Sequence, residues 1–424
     1  MNSFQLADLE EELLRCMKCG NCQAVCPLYR ATRQEPLVAR GKIRLAQAVL
    51  SGEIACTPKI ARRFEECLTC LACMANCPSG VRYDRLIIAA RAAAVKKRGL
   101  PRLLRYAAAL LRRPRLFALT MRAAGKAQGL VFKRVPSGGQ SPRFRLVADK
   151  ERIFPRLAAR PYLDFAPEII SPSAGWRGLK VAFFPGCLAN YVYPQTAQAA
   201  AELLASLGVA VLVPRPQQCC GMPVFTHGDV DLMRKAAIEL VRLFSGVDCT
   251  ALVTVCPTCG EAFLHYYPAV LTGELRERAA ALAKKTMDVT DFLSKYNLGA
   301  PELWGPVPGK FTYHSPCHLD RGMGVYKQPL ALIKGVPEAV FTPLREPTAC
   351  CGGAGAFSFT NRELSAMVLN PKVADIRQTG ARTVLTGCSA CRMQLAGGLA
   401  KAGLAVEVLH TVEFLARARK RKAN

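Results

Sequence analysis

The cysteines constrain this chain more than any other feature, because there are twenty of them and they occur in spaced groups. Eighteen lie in four recurring patterns, and only Cys56 and Cys249 stand apart. The first residues are polar and acidic and lack the basic and apolar regions of a secretory signal, so we expect a cytoplasmic protein. Cytoplasmic thiols are kept reduced, which makes a disulfide framework a poor explanation. The spacing therefore predicts thiolates that bind metal.

Two groups, at residues 16–27 and 67–78, share the spacing C-x2-C-x2-C-x3-C-P, and we call them the first and second cubane motifs. Three cysteines at this step wrap one face of a [4Fe–4S] cubane, and in two-cluster ferredoxins the fourth cysteine ligates the other cluster. Zinc sites also use C-x2-C pairs, but zinc explains neither the third cysteine nor the trailing proline. The predicted ligands are Cys16, Cys19, Cys22 and Cys77 for one cluster, and Cys67, Cys70, Cys73 and Cys26 for the other.

The other two groups are copies of one pattern in the C-terminal half, and we call them the first and second CCG modules. Each has a single cysteine, a Cys-Cys-Gly triplet after 31 or 32 intervening residues, and a C-x2-C pair after 35 or 36 more. The glycine suits a tight turn that presents adjacent thiolates to a metal. Such sites favour Fe–S, zinc or Cu(I), and a structural zinc site or a redox dithiol stays open. The predicted ligands are Cys187, Cys219, Cys220, Cys256 and Cys259 in the first module, and Cys317, Cys350, Cys351, Cys388 and Cys391 in the second.

Few other residues indicate a metal-binding or cofactor-binding role. His314 and His318 flank Cys317, where each either ligates or tunes a centre or holds the loop by hydrogen bonds. The chain has no C-x-x-C-H, no P-loop and no dinucleotide-binding fingerprint at a strand–helix junction. We therefore expect neither covalent haem nor a flavin or nucleotide domain, and the sequence names no catalytic residue.

The pattern of apolar residues predicts an α + α/β fold in four segments. Residues 1–95 form an all-helical ferredoxin domain around the two cubane motifs, and residues 96–175 form a basic helical connector. Residues 176–300 and 301–424 form two duplicated α/β units, each containing one CCG module. Strands alternate with helices in both units, which predicts mainly parallel sheets.

The net charge of +27 is concentrated in residues 91–160, which hold 19 Lys and Arg but only Asp149 and Glu151 as acids. Charge of this kind suits an anionic membrane surface or an acidic partner subunit. The alternative is a helix that packs on its own protein with solvated arginines. No nucleic-acid-binding motif accompanies the charge, so we expect no nucleic-acid partner.

Taken together, two cubane motifs followed by two CCG modules resemble the iron–sulfur subunit of bacterial glycolate oxidase, a family of CCG-domain iron–sulfur oxidoreductases. The resemblance covers almost the whole chain and is strongest in CLTCLACMANCPSGVRY, ARGKIRLAQAVLSGE and CCGGAGAFSF. Related subunits serve lactate and glycerol-3-phosphate dehydrogenases, and heterodisulfide reductases share the CCG modules. In those reductases each complete module resembles a site for a non-cubane [4Fe–4S] cluster.

The resemblance implies an iron–sulfur electron-transfer subunit of a flavin-dependent glycolate or lactate dehydrogenase. It implies an FAD-containing partner, a quinone or another acceptor, and a location in the cytoplasm or on the inner face of the cell membrane. The expected cofactors are two [4Fe–4S] clusters, with one or two further non-cubane Fe–S clusters or zinc in the CCG modules. The alternatives are a catalytic subunit like heterodisulfide reductase, an iron–sulfur subunit of an anaerobic glycerol-3-phosphate dehydrogenase, and a zinc-stabilised scaffold.

Overall fold

The computed structural model describes residues 4–136, 138–144 and 152–419. Asp149 and Glu151, the two acids of the basic segment, lie outside these ranges. The N-terminal part is helical, as predicted, with short helices at the cysteine motifs and longer ones between and after them. Its helices are α1 (Glu10–Leu14), α2 (Asn21–Val25), α3 (Pro27–Thr32), α4 (Ala39–Leu50), α5 (Pro58–Glu65), α6 (Ala72–Ala75) and α7 (Tyr83–Arg98).

Helix α7 is the longest of these N-terminal helices and has clear sequence reasons for its ends. Asp84 lies in its first turn and three basic residues lie in its last turn, which complements the helix dipole. The chain leaves the helix at Gly99, whose φ of +74° suits glycine. The helix buries most of its side chains, including Leu86 and Ile88, against the ferredoxin core.

The basic connector forms a helical hairpin followed by a small antiparallel ribbon. Pro114 occupies the first turn of the second helix, where its missing N–H costs no hydrogen bond. The elements are α8 (Arg102–Leu111), α9 (Pro114–Val131), β1 (Phe132–Arg134) and β2 (Gln140–Pro142).

The C-terminal part contains two sheets, and every pairing in them is parallel except that of the short edge strand β3. The first unit comprises β3 (Ile169–Ile170), β4 (Leu179–Phe184), α10 (Gly186–Tyr191), α11 (Pro194–Ser206), β5 (Val209–Leu212), α12 (Met222–Phe225), α13 (Val230–Ser245), β6 (Ala251–Thr254), α14 (Pro257–Glu261), α15 (Tyr267–Val270), α16 (Gly273–Lys285), β7 (Thr286–Asp288) and α17 (Val289–Lys295). The second comprises β8 (Gly309–His314), α18 (Lys327–Lys334), β9 (Ala339–Phe341), α19 (Phe357–Thr360), α20 (Arg362–Thr379), β10 (Thr383–Thr386), α21 (Ser389–Lys401), β11 (Glu407–His410) and α22 (Thr411–Ala418).

Apart from the additional edge strand β3 of the first, the two sheets have the same strand order, which confirms the predicted duplication at the level of topology. The first sheet runs β3-β5-β4-β6-β7, and the second runs β9-β8-β10-β11 when read in the same direction. The two units pack against each other through helices: α11 of the first contacts α22 of the second, and α17 of the first contacts α18 of the second. One buried core with Trp304 and Phe414 spans both units. The predicted α + α/β fold is therefore confirmed.

The ferredoxin part contacts both α/β units. Phe4 packs against Phe225 of the first unit, with ring centroids 5.0 Å apart. On the other side, Arg30 donates two hydrogen bonds, of 2.7 and 2.6 Å, to the Glu346 carboxylate of the second unit.

Strand β3 joins the first sheet although it precedes the predicted boundary at residue 176. The four segment boundaries stay predictions. Within the described ranges, no helix is both long and apolar enough to span a bilayer.

Candidate metal centres

The two cubane motifs fold into loops of the same local conformation. In each loop, the residues before and after the second cysteine have positive φ: Lys18 and Gly20 in the first loop, Thr69 and Leu71 in the second. Non-glycine residues seldom adopt this conformation, so its recurrence marks a defined turn rather than a chance distortion. Successive residues of this conformation turn their backbone N–H groups toward one concave site. Such a site suits a centre that is held by three cysteines of the same loop.

The trailing proline of the first motif has a structural role. Pro27 begins α3, and Cys26 is the residue that caps this helix. The Cys26 Sγ accepts a hydrogen bond of 3.5 Å from the Tyr29 N–H. Proline fits the first helical position because its N–H would lack a partner there in any case. The Cys-Pro pair therefore fixes the direction of the fourth thiol, and a hydrogen bond to its sulfur favours the thiolate.

The fourth cysteine of each motif lies with three cysteines of the other motif. One cavity is lined by Cys16, Cys19 and Cys22 of the first motif together with Cys77 and Cys73 of the second. In the second group, the thiols of Cys67, Cys70 and Cys73 interact electrostatically with that of Cys26. Cys73 contributes to the cavity and to the second group, so the two groups are neighbours.

Two buried cations lie beside the second group, and the sequence analysis missed both. Lys42 is 1% exposed and donates a 3.0 Å hydrogen bond to the Pro36 carbonyl. Burial lowers its pKa to about 8, which the thiols of Cys67 and Cys26 oppose. Arg91 is 2% exposed and donates to four backbone carbonyls, among them that of Cys67 at 2.7 Å. Buried positive charge favours anionic thiolates and the clusters they hold.

The first CCG module places its five thiols at the carboxyl ends of the parallel strands, where α/β sheets bind ligands. Cys187 follows β4, and Cys256 follows β6. The Sγ atoms of Cys220 and Cys259 are 3.4 Å apart. Hydrogen bonds from Cys219 and Cys259 lower the pKa of Cys220 to about 6. The arrangement thus favours a thiolate within the group, as metal binding requires.

The glycines of this module permit close approach of its loops. Gly221, the last residue of the first Cys-Cys-Gly triplet, has φ +88°, as the predicted tight turn requires. Gly186 precedes Cys187 and has φ +76°. A Cβ atom there would lie 3.0 Å from the Cys259 Sγ. Only glycine brings this loop so close to the thiols without strain.

The second module repeats this geometry. Hydrogen bonds from Cys317 and Cys351 lower the pKa of Cys350, and a bond from Cys391 lowers that of Cys388 to about 7. The Gly352 N–H donates to the Cys350 Sγ at 3.4 Å. Gly352 has φ +79°, which matches Gly221 in the first module. Each module therefore assembles five thiols around a glycine turn.

The two histidines that flank Cys317 differ in their surroundings. His318 forms a buried ion pair through Nδ1 with Glu261, which follows Cys259 of the first module by two residues. Burial lowers the pKa of His318, but the Glu261 carboxylate outweighs this and the net shift is upward. His318 thus holds its loop in place, as one of the two sequence-based alternatives predicted, and it does so by contacting a residue of the first module. His314 has no hydrogen-bond partner on either ring nitrogen within the described residues.

The two cubane groups and the second CCG module adjoin one another, and the first cubane group reaches the surface. Cys19 is exposed, and Leu14 and Met17 beside it are 71% and 67% exposed. The second group adjoins the second CCG module, because Cys70 and Cys350 line the same cavity of about 800 Å³. Burial, and then the neighbouring Cys350 thiol, raise the pKa of Cys70.

Arg321 connects the ferredoxin loop to the second module, since it donates to the Cys70 carbonyl at 3.2 Å and to the Thr348 carbonyl at 2.9 Å. The first CCG module lies under the basic hairpin instead. Cys187 and Cys219 line a small cavity together with Leu111, Pro114 and Phe117 of α8 and α9. The hairpin thus covers the first module, whereas the second module adjoins the cluster loop at Cys70.

The donor sets fit iron–sulfur clusters. All twenty cysteines are free thiols, and eighteen of them lie in the four groups. Tetrads of thiols with adjacent buried cations and hydrogen bonds to sulfur are typical of cubane sites. Of the residues that the sequence analysis missed, Arg91 had a signal, because it is the one charged residue in the apolar stretch LIIAARAAAV. The partners of Lys42, Glu261 and Arg321 depend on tertiary contacts and left no such signal.

Comparisons with known proteins agree with this geometry. Residues 12–81 match the 4Fe-4S dicluster domain family, and residues 181–263 and 311–396 match the Cysteine-rich domain family called CCG. These matches confirm the two [4Fe–4S] clusters and the duplicated cysteine-rich units. A crystal structure of a hypothetical protein from Helicobacter pylori superimposes with a TM-score of 0.54 at 11% identity, over 99% of this chain and 76% of that chain. That likeness concerns the fold alone.

Two curated relatives are similar in sequence. Lactate utilization protein A of a Geobacillus species is 32% identical over 56% of this chain and 99% of its own length. The probable glycolate oxidase iron-sulfur subunit of Bacillus subtilis is 31% identical over 98% of this chain and 96% of its own length. The present chain, an iron–sulfur component of an oxidoreductase, therefore belongs to the family of the glycolate oxidase iron–sulfur subunit.

Proposed function

We propose that the chain is the electron-transfer subunit of a flavin-dependent 2-hydroxy-acid dehydrogenase that oxidises glycolate or lactate. The names of its relatives, a glycolate oxidase subunit and a lactate utilization protein, support this substrate class. A flavin can accept a hydride from such a substrate and pass its electrons singly to Fe–S centres, and the sequence has no dinucleotide-binding fingerprint. We therefore propose that an FAD-containing partner subunit carries out the oxidation. The observation that carries the proposal is the row of cysteine groups from the exposed Cys19 to the buried Cys350.

The proposed ligands are those that the spacing predicts. One [4Fe–4S] cluster is held by Cys16, Cys19, Cys22 and Cys77, and the other by Cys67, Cys70, Cys73 and Cys26. The five thiols of each CCG module hold a further Fe–S centre. When bound, these groups supply one-electron transfer. The chain itself fixes their positions, keeps water away, and sets the local charge through Lys42 and Arg91.

The proposed docking face for the flavoprotein surrounds the first cubane motif. Leu14 and Met17 are strongly exposed there and lie next to the cysteines that reach the surface. Exposed apolar side chains beside a redox site are typical of a transient interface. The proposed domain division places this face in residues 1–95.

The basic hairpin is proposed to contact an anionic membrane, where a quinone-linked acceptor resides. The sequence contains no acidic residue from 85 to 148. On α9, Leu116 and Leu119 are 41% and 60% exposed, and Arg115 and Lys126 are exposed with them. Exposed leucines among cations suit a helix that lies in the headgroup region of a bilayer. The first CCG module, under this hairpin, is the one nearest that surface.

The function is tested with the chain and the flavoprotein partner combined anaerobically, with glycolate or lactate as the reductant. We expect the electron paramagnetic resonance signals of reduced [4Fe–4S] clusters within turnover of the flavin. Met17→Asp is expected to slow this reduction at least tenfold, whereas the matched change Leu130→Asp on the hairpin leaves it unchanged. Clusters that stay oxidised with both substrates would contradict the proposal. Turnover of a heterodisulfide by the chain alone would replace it with the reductase alternative.

Membrane contact is tested separately, by co-sedimentation with vesicles that contain phosphatidylglycerol. We expect binding to the anionic vesicles, weaker binding at high salt, and a loss of binding in Leu119→Asp. Met17→Asp is the control and retains binding. Equal recovery with neutral and anionic vesicles would contradict the proposed role of the hairpin.

A further inference from the structure

His314 is a buried polar side chain that the protein itself leaves unsatisfied. It is the last residue of β8, three residues before Cys317, and its exposed fraction is 0%. Neither ring nitrogen has a hydrogen-bond partner among the described residues. Buried polar groups without partners are rare in native structures and mark a role or a missing ligand. By contrast, His410 is 1% exposed and uses both ring nitrogens, with the Val255 carbonyl at 3.0 Å and the Val412 N–H at 3.3 Å.

The unsatisfied imidazole lies among the thiols of the second CCG module. A ring nitrogen of His314 and the Sγ atoms of Cys351 and Cys391 all lie within 4.8 Å of one another, and all three residues are buried. Imidazole nitrogen and thiolate sulfur together form ligand sets for iron and zinc. The geometry thus brings a second type of donor, a ring nitrogen, into a group that the cysteine spacing defined by sulfur alone.

The duplication supplies an internal comparison. Strand β4 of the first unit ends at Phe184, which precedes Cys187 by the same three residues. Phe184 packs against Phe263, with ring centroids 5.3 Å apart, and against Phe244 at 5.8 Å. The strand end therefore needs no polar residue in order to fold. The histidine in the second copy is a specific addition at the centre of that module.

We propose that His314 ligates the metal centre of the second CCG module through a ring nitrogen, whereas the first module has sulfur ligands only. The inference rests on the proposed ligation of that centre by Cys317, Cys350, Cys351, Cys388 and Cys391, with the imidazole in the place of one of these five thiolates. Histidine in place of cysteine raises the reduction potential of an Fe–S centre. The imidazole thus makes the second centre the more oxidising of the two modules, next to the cluster group at Cys70.

The test is pulsed electron paramagnetic resonance on the anaerobically purified full chain, with 14N-histidine or 15N-histidine incorporated. We expect a nitrogen hyperfine coupling of the size of direct ligation, which changes with the isotope and is lost in His314→Phe. In a redox titration, the midpoint potential of this centre is expected to fall in the variant. His227→Phe, the same change at another buried histidine, is the control and retains the coupling.

Two further variants distinguish a failure of the proposed cysteine-ligated centre from a failure of the proposed His314 ligation. Cys351→Ser tests the cysteine ligand set, because loss of iron there supports the proposed centre whatever His314 does. If His314→Phe does not fold, His314→Gln keeps a polar side chain and is expected to lose the coupling as well. A coupling that persists in either His314 variant would overturn the inference. So would a wild-type coupling only of the size of a hydrogen bond to sulfur.

Discussion

Replacement of Arg91 by methionine tests how the ferredoxin domain is held to the first α/β unit. The guanidinium donates to the carbonyls of Phe64, Glu65 and Cys67 at 2.8, 3.1 and 2.7 Å, and also to the carbonyl of Thr226 in the first unit. The Glu65 carbonyl keeps another donor, the Cys67 N–H. Three buried carbonyls therefore depend on Arg91.

A buried acceptor that loses its donor costs about 1–3 kcal/mol, so with three such acceptors we expect Arg91→Met to lower the free energy of unfolding by about 3–9 kcal/mol. Methionine keeps much of the volume of the side chain and its apolar contacts, so the loss reports mainly the hydrogen bonds. The variant also removes a positive charge beside Cys67, and the potential of the adjacent cluster is expected to fall.

The assay is anaerobic urea unfolding of the cluster-loaded chain, followed by circular dichroism and by cluster absorbance. Arg98→Met is the matched control, because Arg98 is exposed in the last turn of the same helix, and it is expected to change stability by less than about 0.5 kcal/mol. A loss below about 1 kcal/mol in Arg91→Met would refute the reasoning that three buried carbonyls depend on this side chain.

Two other predictions follow from burial and close approach. In Gly186→Ala the new Cβ would lie 3.0 Å from the Cys259 Sγ, so we expect loss of iron from the first module, whereas Gly178→Ala, at φ +75° with open space around it, retains iron. Equal iron contents would contradict this. Burial raises the pKa of Asp288 from 3.8 to about 7. The folded chain then holds a proton that the unfolded chain has released, so stability falls by about 1.4 kcal/mol per pH unit as pH rises toward 7. Asp288→Asn is expected to flatten this fall between pH 6 and 7 in urea unfolding, and a slope equal to that of the wild type would argue against it.

The sequence predicted the parts of this protein that depend on local spacing. The C-x2-C-x2-C-x3-C-P spacing requires one loop conformation, and residues at the same two positions have positive φ in both copies. Helices α4 and α7 follow from helical periodicity, and the parallel sheets follow from alternating strands and helices. The glycine of each Cys-Cys-Gly triplet was predicted to turn, and Gly221 and Gly352 both do so.

Some roles depend on residues that are distant in the chain, and periodicity holds no information about them. The ion pair of His318 joins it to Glu261, 57 positions earlier, although the sequence left its role open between ligand and loop support. Arg30 and Arg321 connect the ferredoxin part to the second unit through contacts separated by 316 and 251 positions. Long-range contacts of this kind are set by how the domains pack.

The twenty cysteines thus determined by themselves that the chain binds metal, how many groups there are, and which cysteines belong to each CCG module. The tertiary structure decided which groups are neighbours, which one reaches the surface, and which buried cations lie beside them. It also separated two histidines that look alike in sequence, because one has a carboxylate partner and the other lies beside the thiols of Cys351 and Cys391. The physical reason is that ligand spacing is a local property of the backbone, whereas burial and charge at a centre come from every element packed around it.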